Sequence, residues 1–162
     1  MKPPAISIRP IGEADLPWIS KLLSANYRKL ASVEGYSPLE KERLIEERSS
    51  PEAITSQSKR YTFAVAVDSD NLVGVVAIRG NTLEKLYVDS KHHHRGIGAM
   101  LFQWAESAIC DAGYTEIVLV AFTSSVAFYE KMGMGITGRK TMTGGPLEGR
   151  QFISMRKPLG TD

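Results

Sequence analysis

The chemistry-bearing part of the chain is Leu86-Tyr87-Val88-Asp89-Ser90-Lys91-His92-His93-His94-Arg95-Gly96-Ile97-Gly98-Ala99-Met100-Leu101. It reads as a strand end, a basic loop with two glycines, and the first turn of an amphipathic helix. Backbone N–H groups in a first helical turn have no intrahelical acceptor, and the helix dipole places its positive end there, so this junction suits an anion such as a phosphate. Glycine lets a ligand approach those donors without a side chain in the way. His93, His94 and Arg95 add positive charge where a phosphate would lie. The dinucleotide fingerprint is excluded, because its third glycine falls on Leu101. Three adjacent histidines point in different directions, unlike the spaced ligands of metal sites, and no cysteine lies near them, so no metal is expected. Gly133–Thr141 comes close to the phosphate loop of nucleotide hydrolases, but Arg139 interrupts it and Gly144-Gly145-Pro146 soon follows. It reads as a turn and a strand.

The elements that must position this junction follow from periodicity. Ile6, Ile8 and Ile11 open with a strand, and Leu16, Ile19, Leu23, Tyr27 and Leu30 mark one face of a helix. Ser37-Pro38-Leu39-Glu40 is a capping box that starts a second helix, running to about Arg48. The polar stretch Ser49–Ser58 reads as a loop or short helix, most simply a solvated connection. Thr62–Val67 and Leu72–Ile78 predict a hairpin across Asp68-Ser69-Asp70-Asn71, and Gly80-Asn81 turns the chain into a third strand, Leu83–Val88. Ile97, Leu101, Trp104, Ala105, Ala108 and Ile109 give the next helix its apolar face, ended by Gly113. Ile117–Phe122 is a continuous apolar run, expected as a strand covered on both faces. One more helix ends at Gly133, and strands at about Ile136–Met142 and Gln151–Lys157 close the chain. The expected fold class is α/β: a mixed, mostly antiparallel sheet in the order β-α-α-β-β-β-α-β-α-β-β. One right-handed crossover makes the two central strands parallel. Cys110, Trp18 and Trp104 are expected in the packing of the interior.

Composition narrows the classes. With 162 residues, the chain is one domain's worth, expected over residues 5–159. It is 43% hydrophobic and 23% charged, and 20 Lys and Arg against 18 Asp and Glu leave +2, too little to argue for nucleic acid or a membrane surface. A single cysteine excludes an internal disulfide framework. No apolar run approaches the roughly 18 residues of a membrane span, and Met1-Lys2-Pro3-Pro4 lacks a leader's apolar core. A soluble, cytoplasmic protein is the expectation.

At His93-His94-Arg95-Gly96-Ile97-Gly98 the chain resembles the acyl-CoA loop of the GNAT superfamily of N-acetyltransferases, Gln/Arg-x-x-Gly-x-Gly/Ala, with His93 in the first position. Ile8-Arg9-Pro10 with Asp15-Leu16 is similar to the family's opening strand and first helix. Phe128-Tyr129-Glu130-Lys131-Met132-Gly133-Met134 is similar to its "FYEKxGF" helix end, with Met134 for the usual phenylalanine. The resemblance covers nearly the whole chain. It implies acetyl-CoA as donor and a primary amine as acceptor, with direct transfer in a ternary complex and splayed parallel central strands that admit the pantetheine arm. It further implies that Leu86, Tyr87 and Val88 line the arm, that Val88 N–H faces the thioester oxygen, and that amides from His94 through Arg95, Gly96, Ile97 and Gly98 to Ala99 hold the pyrophosphate. Ser125 and Phe128 would lie beside the arm, while Phe122 stands where the family often has asparagine. Tyr129 matches the general acid that protonates the departing thiolate; on spacing alone, Phe128 and Tyr129 would be core aromatics.

A lysine-like amine near pKa 10.4 is only about 0.04% neutral at pH 7, against about 10% for an α-amine near 8, so the former needs a proton acceptor. Glu84 is the candidate base, because strand alternation puts it on one face with Leu86 and Val88; an exposed strand carboxylate is the competing reading. The acceptor side is expected between the first two helices and the Gly144–Gly149 turn. Glu40, Glu42, Glu46 and Glu47 read as an exposed charged helix face. Homodimers are common in the family, making a second copy of the chain a candidate partner. A non-catalytic acyl-CoA-binding module is the alternative from another functional class.

Overall fold

In the computed structural model the described residues are 5–160; Met1–Pro4, read above for a leader, lie outside them. The strands are β1 (Ile6–Pro10), β2 (Thr62–Asp68), β3 (Asn71–Arg79), β4 (Thr82–Val88), β5 (Glu116–Ala121), β6 (Gly135–Thr141) and β7 (Gln151–Pro158). The helices are α1 (Leu16–Glu34), α2 (Pro38–Ser49), α3 (Pro51–Ser58), α4 (Ile97–Asp111) and α5 (Val126–Lys131). One sheet runs β1-β2-β3-β4-β5-β7-β6, antiparallel except for the β4–β5 neighbours. The mixed α/β architecture expected from the sequence is present.

The polar stretch after α2 is a helix. Ser50 Oγ accepts from Ala53 N–H at 3.1 Å, Pro51 fills the first helical position, and Ile54 is fully buried. Serine before proline also starts α2, where Ser37 Oγ accepts from Glu40 N–H at 3.1 Å and Glu40 accepts in return from Ser37 N–H at 2.9 Å. Burying Ile54 contributes on the order of 1.5–3 kcal/mol, enough to fix α3 over the sheet. At the other end of α1, the buried Asp15 receives Arg9 at 2.8 and 3.1 Å and Gly12 N–H at 2.8 Å. The Arg9 bonds hold its carboxyl below the usual range against the opposing effect of burial.

Two apolar layers sandwich the sheet. Helix α4 buries Ile97, Leu101, Phe102, Ala105 and Ile109 against one face. Helices α1–α3 bury Ile19, Leu23, Tyr27, Leu44 and Ile54 against the other. Trp104 and Trp18 are partly buried, one in each layer. Cys110 is exposed, because it follows Ile109 off the apolar face of α4; its expected packing role is not what the structure has.

Two irregularities of β4 shape the cleft. Its parallel pairing with β5 is confined to Thr82↔Val118, supported by Val118 N–H to Asn81 O at 3.1 Å, and beyond it the strands part. On its other side, β5 keeps the full antiparallel ladder with β7 from Glu116↔Pro158 to Ala121↔Ile153. Opposite β3, the register passes from Ala77↔Lys85 to Ile78↔Leu83, so Glu84 is an extra, bulged residue. Among the described residues, no helix is long and apolar enough to cross a membrane.

Candidate active site

The gap between β4 and β5 exposes a hydrogen-bonding edge. Asp89 N–H donates to Val73 O across the β3–β4 ladder at 2.9 Å, and Gly74 faces Val88. In an antiparallel ladder this makes Gly74↔Val88 a non-hydrogen-bonded pair, and Val76↔Leu86 two residues earlier is another. The N–H and C=O of Leu86 and Val88 therefore point away from β3, into the gap. Val120 on the opposite lip is 41% exposed, so the expected cover on both faces of β5 is missing where β4 turns aside. A cavity of about 430 Å³ opens from this gap and is lined by Leu86, Tyr87, Val120, Ala121, Ser125 and Tyr129. Its far side is made by Tyr27, Arg48, Gln57, Tyr61, Arg79, Glu84 and Lys85.

The basic loop ends in two left-handed residues, His94 at φ 66° and Gly96 at φ 77°, the latter capping α4 without a side-chain hydrogen bond. No atom would lie within 4 Å of a Cβ at Gly96, so the approach to the first-turn amides is open. Gly98 serves packing instead, since a Cβ there would sit 3.1 and 3.2 Å from the Phe128 ring and 3.9 Å from Leu86 Cδ2. The missing side chain thus lets α5 dock on the start of α4.

The side chains of the loop depart from the expectation of free positive charge. Arg95 Nη1 is 2.8 Å from Asp68 Oδ2 at the end of β2, so its charge is already answered. His93 is turned back, with Nε2 3.2 Å from the Val88 carbonyl oxygen. His92 Nδ1 is 3.9 Å from Asp89 Oδ2, too far for a hydrogen bond. Among the described residues, no three His, Cys, Asp or Glu side chains gather as a metal site.

Tyr129 reaches the cavity from the short helix α5, its ring 5.1 Å from Phe128 and 6.3 Å from Phe102. Burial, reinforced by Tyr27, holds its phenol above the ordinary value, so it remains a proton donor across the neutral range. Met134 is buried where the resemblance expects phenylalanine. Val88 and Phe128 do not line the cavity that Tyr129 enters, whereas Leu86, Ser125 and Glu84 do.

Glu84 sits differently from what regular alternation predicts. The bulge takes it off the Leu86 face and onto the side of α1–α3, where Oε1 lies 3.0 Å from Arg79 Nη2 and Arg79 stacks over Tyr61 at 5.4 Å. Sequence reasoning passed over the neighbouring Lys85, which is 6% exposed and donates to Tyr27 Oη and to the Arg48 carbonyl, both at 3.2 Å. Burial alone would raise the Tyr27 phenol, but the Lys85 ammonium, aided by Tyr87 and Arg48, brings it below its usual value. Tyr87, edge-on to Tyr27 at 5.3 Å, is pushed up by burial and by Tyr27. A lysine set between leucines in a strand, Leu83-Glu84-Lys85-Leu86, was the available signal.

The loop after β6 closes one wall. Leu147 is 1% exposed, and Arg150 clamps Glu40 with bonds of 2.8 and 2.7 Å while stacking on Tyr36 at 5.0 Å. The Arg150 bonds, with Ser37 N–H, pull the Glu40 carboxyl down to about 2. Glu40 therefore leaves the expected solvated helix face and ties α2 to the β6–β7 loop.

Comparison with known proteins agrees with this geometry. The family described as "Acetyltransferase (GNAT) domain" matches residues 32–158. A GCN5-related N-acetyltransferase from Rhodopseudomonas palustris has a similar fold, with TM-score 0.86 and 21% identity over 98% of each chain. The PaiA N-acetyltransferase of Thermoplasma acidophilum, solved in complex with coenzyme A, superposes with TM-score 0.73 at 25% identity, covering 95% of this chain and 99% of that one. The peptidyl-lysine N-acetyltransferase YjaB of Salmonella typhimurium is 34% identical over 77 residues. That match takes in 48% of this chain, which spans about half the length of the relative, 52%. A sheet split between its two parallel strands, an open amide edge, a glycine-capped helix and a matched family together give one conclusion: the chain belongs to the GNAT acetyltransferases.

Proposed function

We propose that the protein transfers the acetyl group of acetyl-CoA directly to a primary amine, with residues 5–159 acting as one catalytic domain. The observation that carries this reading is the parting of β4 from β5 directly over a cavity that contains Tyr129. The open edge of β4 suits an extended pantetheine amide chain, which can pair with Leu86 and Val88 as an added strand would. The exposed amides at the start of α4 suit the diphosphate. The coenzyme A held by the Thermoplasma relative supports the same donor here.

Acetyl-CoA would supply an activated thioester. In this reading the amine nitrogen forms a bond to the carbonyl carbon, the carbon–sulfur bond breaks, and Tyr129 gives its proton to the departing sulfur. Of the two open N–H groups, Leu86 shares the cavity with Tyr129, so we assign it the developing oxygen charge and leave Val88 to the arm. Such a donor typically contributes about 3–4 kcal/mol to lowering the barrier. Among the described residues, Glu84 is the one carboxylate lining the cavity and is assigned the proton lost by the amine.

Incubating the protein with acetyl-CoA and a panel of amines, with free thiol measured, tests the proposal. Thiol release that depends on the amine supports it. Stabilisation by coenzyme A with no thiol release for any amine would instead identify a binding module.

A further inference from the structure

The acceptor side of the cavity has a charge pattern that nothing in the transfer of an acetyl group requires. Among the described residues, four cations line the cavity, Arg48, Arg79, Lys85 and Lys140, against the single carboxylate Glu84. Glu84 is already paired with Arg79 at 3.0 Å. Among the described residues, Lys85, Arg48 and Lys140 enter no ion pair. Lys85 is the telling one. It is 6% exposed, and its two hydrogen bonds go to Tyr27 Oη and the Arg48 carbonyl, neither of them a carboxylate. One of its three N–H groups is left for a ligand. An ammonium buried without a carboxylate partner is costly, and a carboxylate arriving at this spot offsets that cost.

The bulge supplies the second half of the pattern. In a regular strand adjacent residues point to opposite faces, but the extra residue opposite Ala77 brings both Glu84 and Lys85 to the cavity. A carboxylate and an ammonium therefore stand side by side, complementary to a small molecule carrying both charges. The residues at the start of α4 do not line this cavity, so its cations are separate from the expected diphosphate end.

We infer that the acceptor is a zwitterionic amine, an α-amino acid with a free carboxylate, seated with its carboxylate on Lys85 and Arg48 and its amine beside Glu84. This rests on the acetyl-transfer reading and gives it a substrate class. The bound ammonium first gives one proton to Glu84 and so becomes the nucleophile. Once the carbon–nitrogen bond has formed and the carbon–sulfur bond has broken, with Tyr129 protonating the sulfur, the nitrogen's second proton passes to the Tyr129 oxygen and restores the phenol. Polycations such as polyamines are disfavoured by the same residues through like-charge repulsion.

The test is the rate of thiol release from acetyl-CoA with the twenty common amino acids, their C-terminal amides, and spermidine. Removing the carboxylate charge lowers an amine's pKa, so the amides are chemically the readier nucleophiles and bias the comparison against the inference. The expected result is at least one amino acid with kcat/KM about tenfold or more above its own amide and above spermidine. Lys85→Met and the more exposed Arg48→Gln should each pull that ratio toward one; if Lys85→Met does not fold, Arg48→Gln carries the comparison. An amide or spermidine equal to or better than every amino acid overturns the inference while leaving acetyl transfer standing. So does a ratio that Arg48→Gln and a folded Lys85→Met leave unaltered. If no amine releases thiol, the transfer reading fails, and calorimetric titration of the same amino acids into coenzyme A-loaded protein decides the inference alone. Binding weakened by Arg48→Gln supports it, and binding of none, or binding that Arg48→Gln does not weaken, overturns it.

Discussion

Replacing Gly98 with alanine tests how the cleft is assembled. The added methyl would stand 3.1 Å from Phe128 Cε2 and 3.2 Å from Cζ, where carbon atoms prefer about 3.5–4.0 Å. The ring must therefore retreat by a few tenths of an ångström, a misfit that in packed interiors costs about 1–3 kcal/mol. For a domain of this size that corresponds to a fall of roughly 2–12 °C in the thermal midpoint. Phe128 packs against Tyr129 at 5.1 Å, so its displacement should be passed to the proposed acid, Tyr129, and lower kcat. Gly96→Ala is the control: it has open space around it, and its cost comes from φ 77° alone. Thermal unfolding and acetyl-transfer rates would be measured for Gly98→Ala, Phe128→Leu and the double variant. The smaller leucine should relieve the clash, so that the double variant loses less than the sum of the singles. Strict additivity, or a Gly98→Ala protein with unaltered midpoint and rate, would mean that the absent side chain at position 98 does not set the place of Phe128.

Four further outcomes are expected from the same geometry. Tyr129→Phe should lower kcat by about 10²–10⁴-fold and leave coenzyme A affinity, read by calorimetry, nearly unaltered; an equal rate would remove the acid role. Because its phenol is held above the ordinary value, Tyr129 stays protonated through pH 10, and the pH–rate profile of the wild type should show no loss from this group below that point. Glu40, pulled to about 2 from an ordinary 4.5, contributes stability that is fully present above pH 4.5 and is lost as pH falls through about 2. Thermal midpoints of Glu40→Gln should accordingly depend less on pH in that window than those of the wild type, and parallel curves would contradict the clamp. Ile54→Ala should cost about 2–5 kcal/mol by chemical denaturation, since the side chain is fully buried; a loss below about 1 kcal/mol would mean α3 is not anchored there.

Periodicity made the helices α1 and α4, the β2–β3 hairpin and the glycine loop legible, because each has its apolar residues at its own spacing over many positions. The position of Glu84 was not legible, since a bulge is set by the register with β3 and leaves no mark in β4 itself. The role of Lys85 went with it. Arg95 read as a phosphate contact because its partner, Asp68, is 27 residues away and meets it only through the fold. Helix α3 was obscured by its polar composition, with Ile54 the one large apolar residue under it, although Ser50-Pro51 carried the same start signal as Ser37-Pro38. Val120 read as buried because an apolar run implies two covered faces, and the missing cover is the very gap where β4 leaves β5.

The most direct measurement is a crystal structure of the protein with acetyl-CoA. The expected electron density places a diphosphate on the amides that begin α4, an arm paired with Leu86 and Val88, and a thioester sulfur within hydrogen-bonding reach of Tyr129 Oη. A donor bound elsewhere, or β4 and β5 paired beyond Thr82↔Val118 with no room between them, would contradict it.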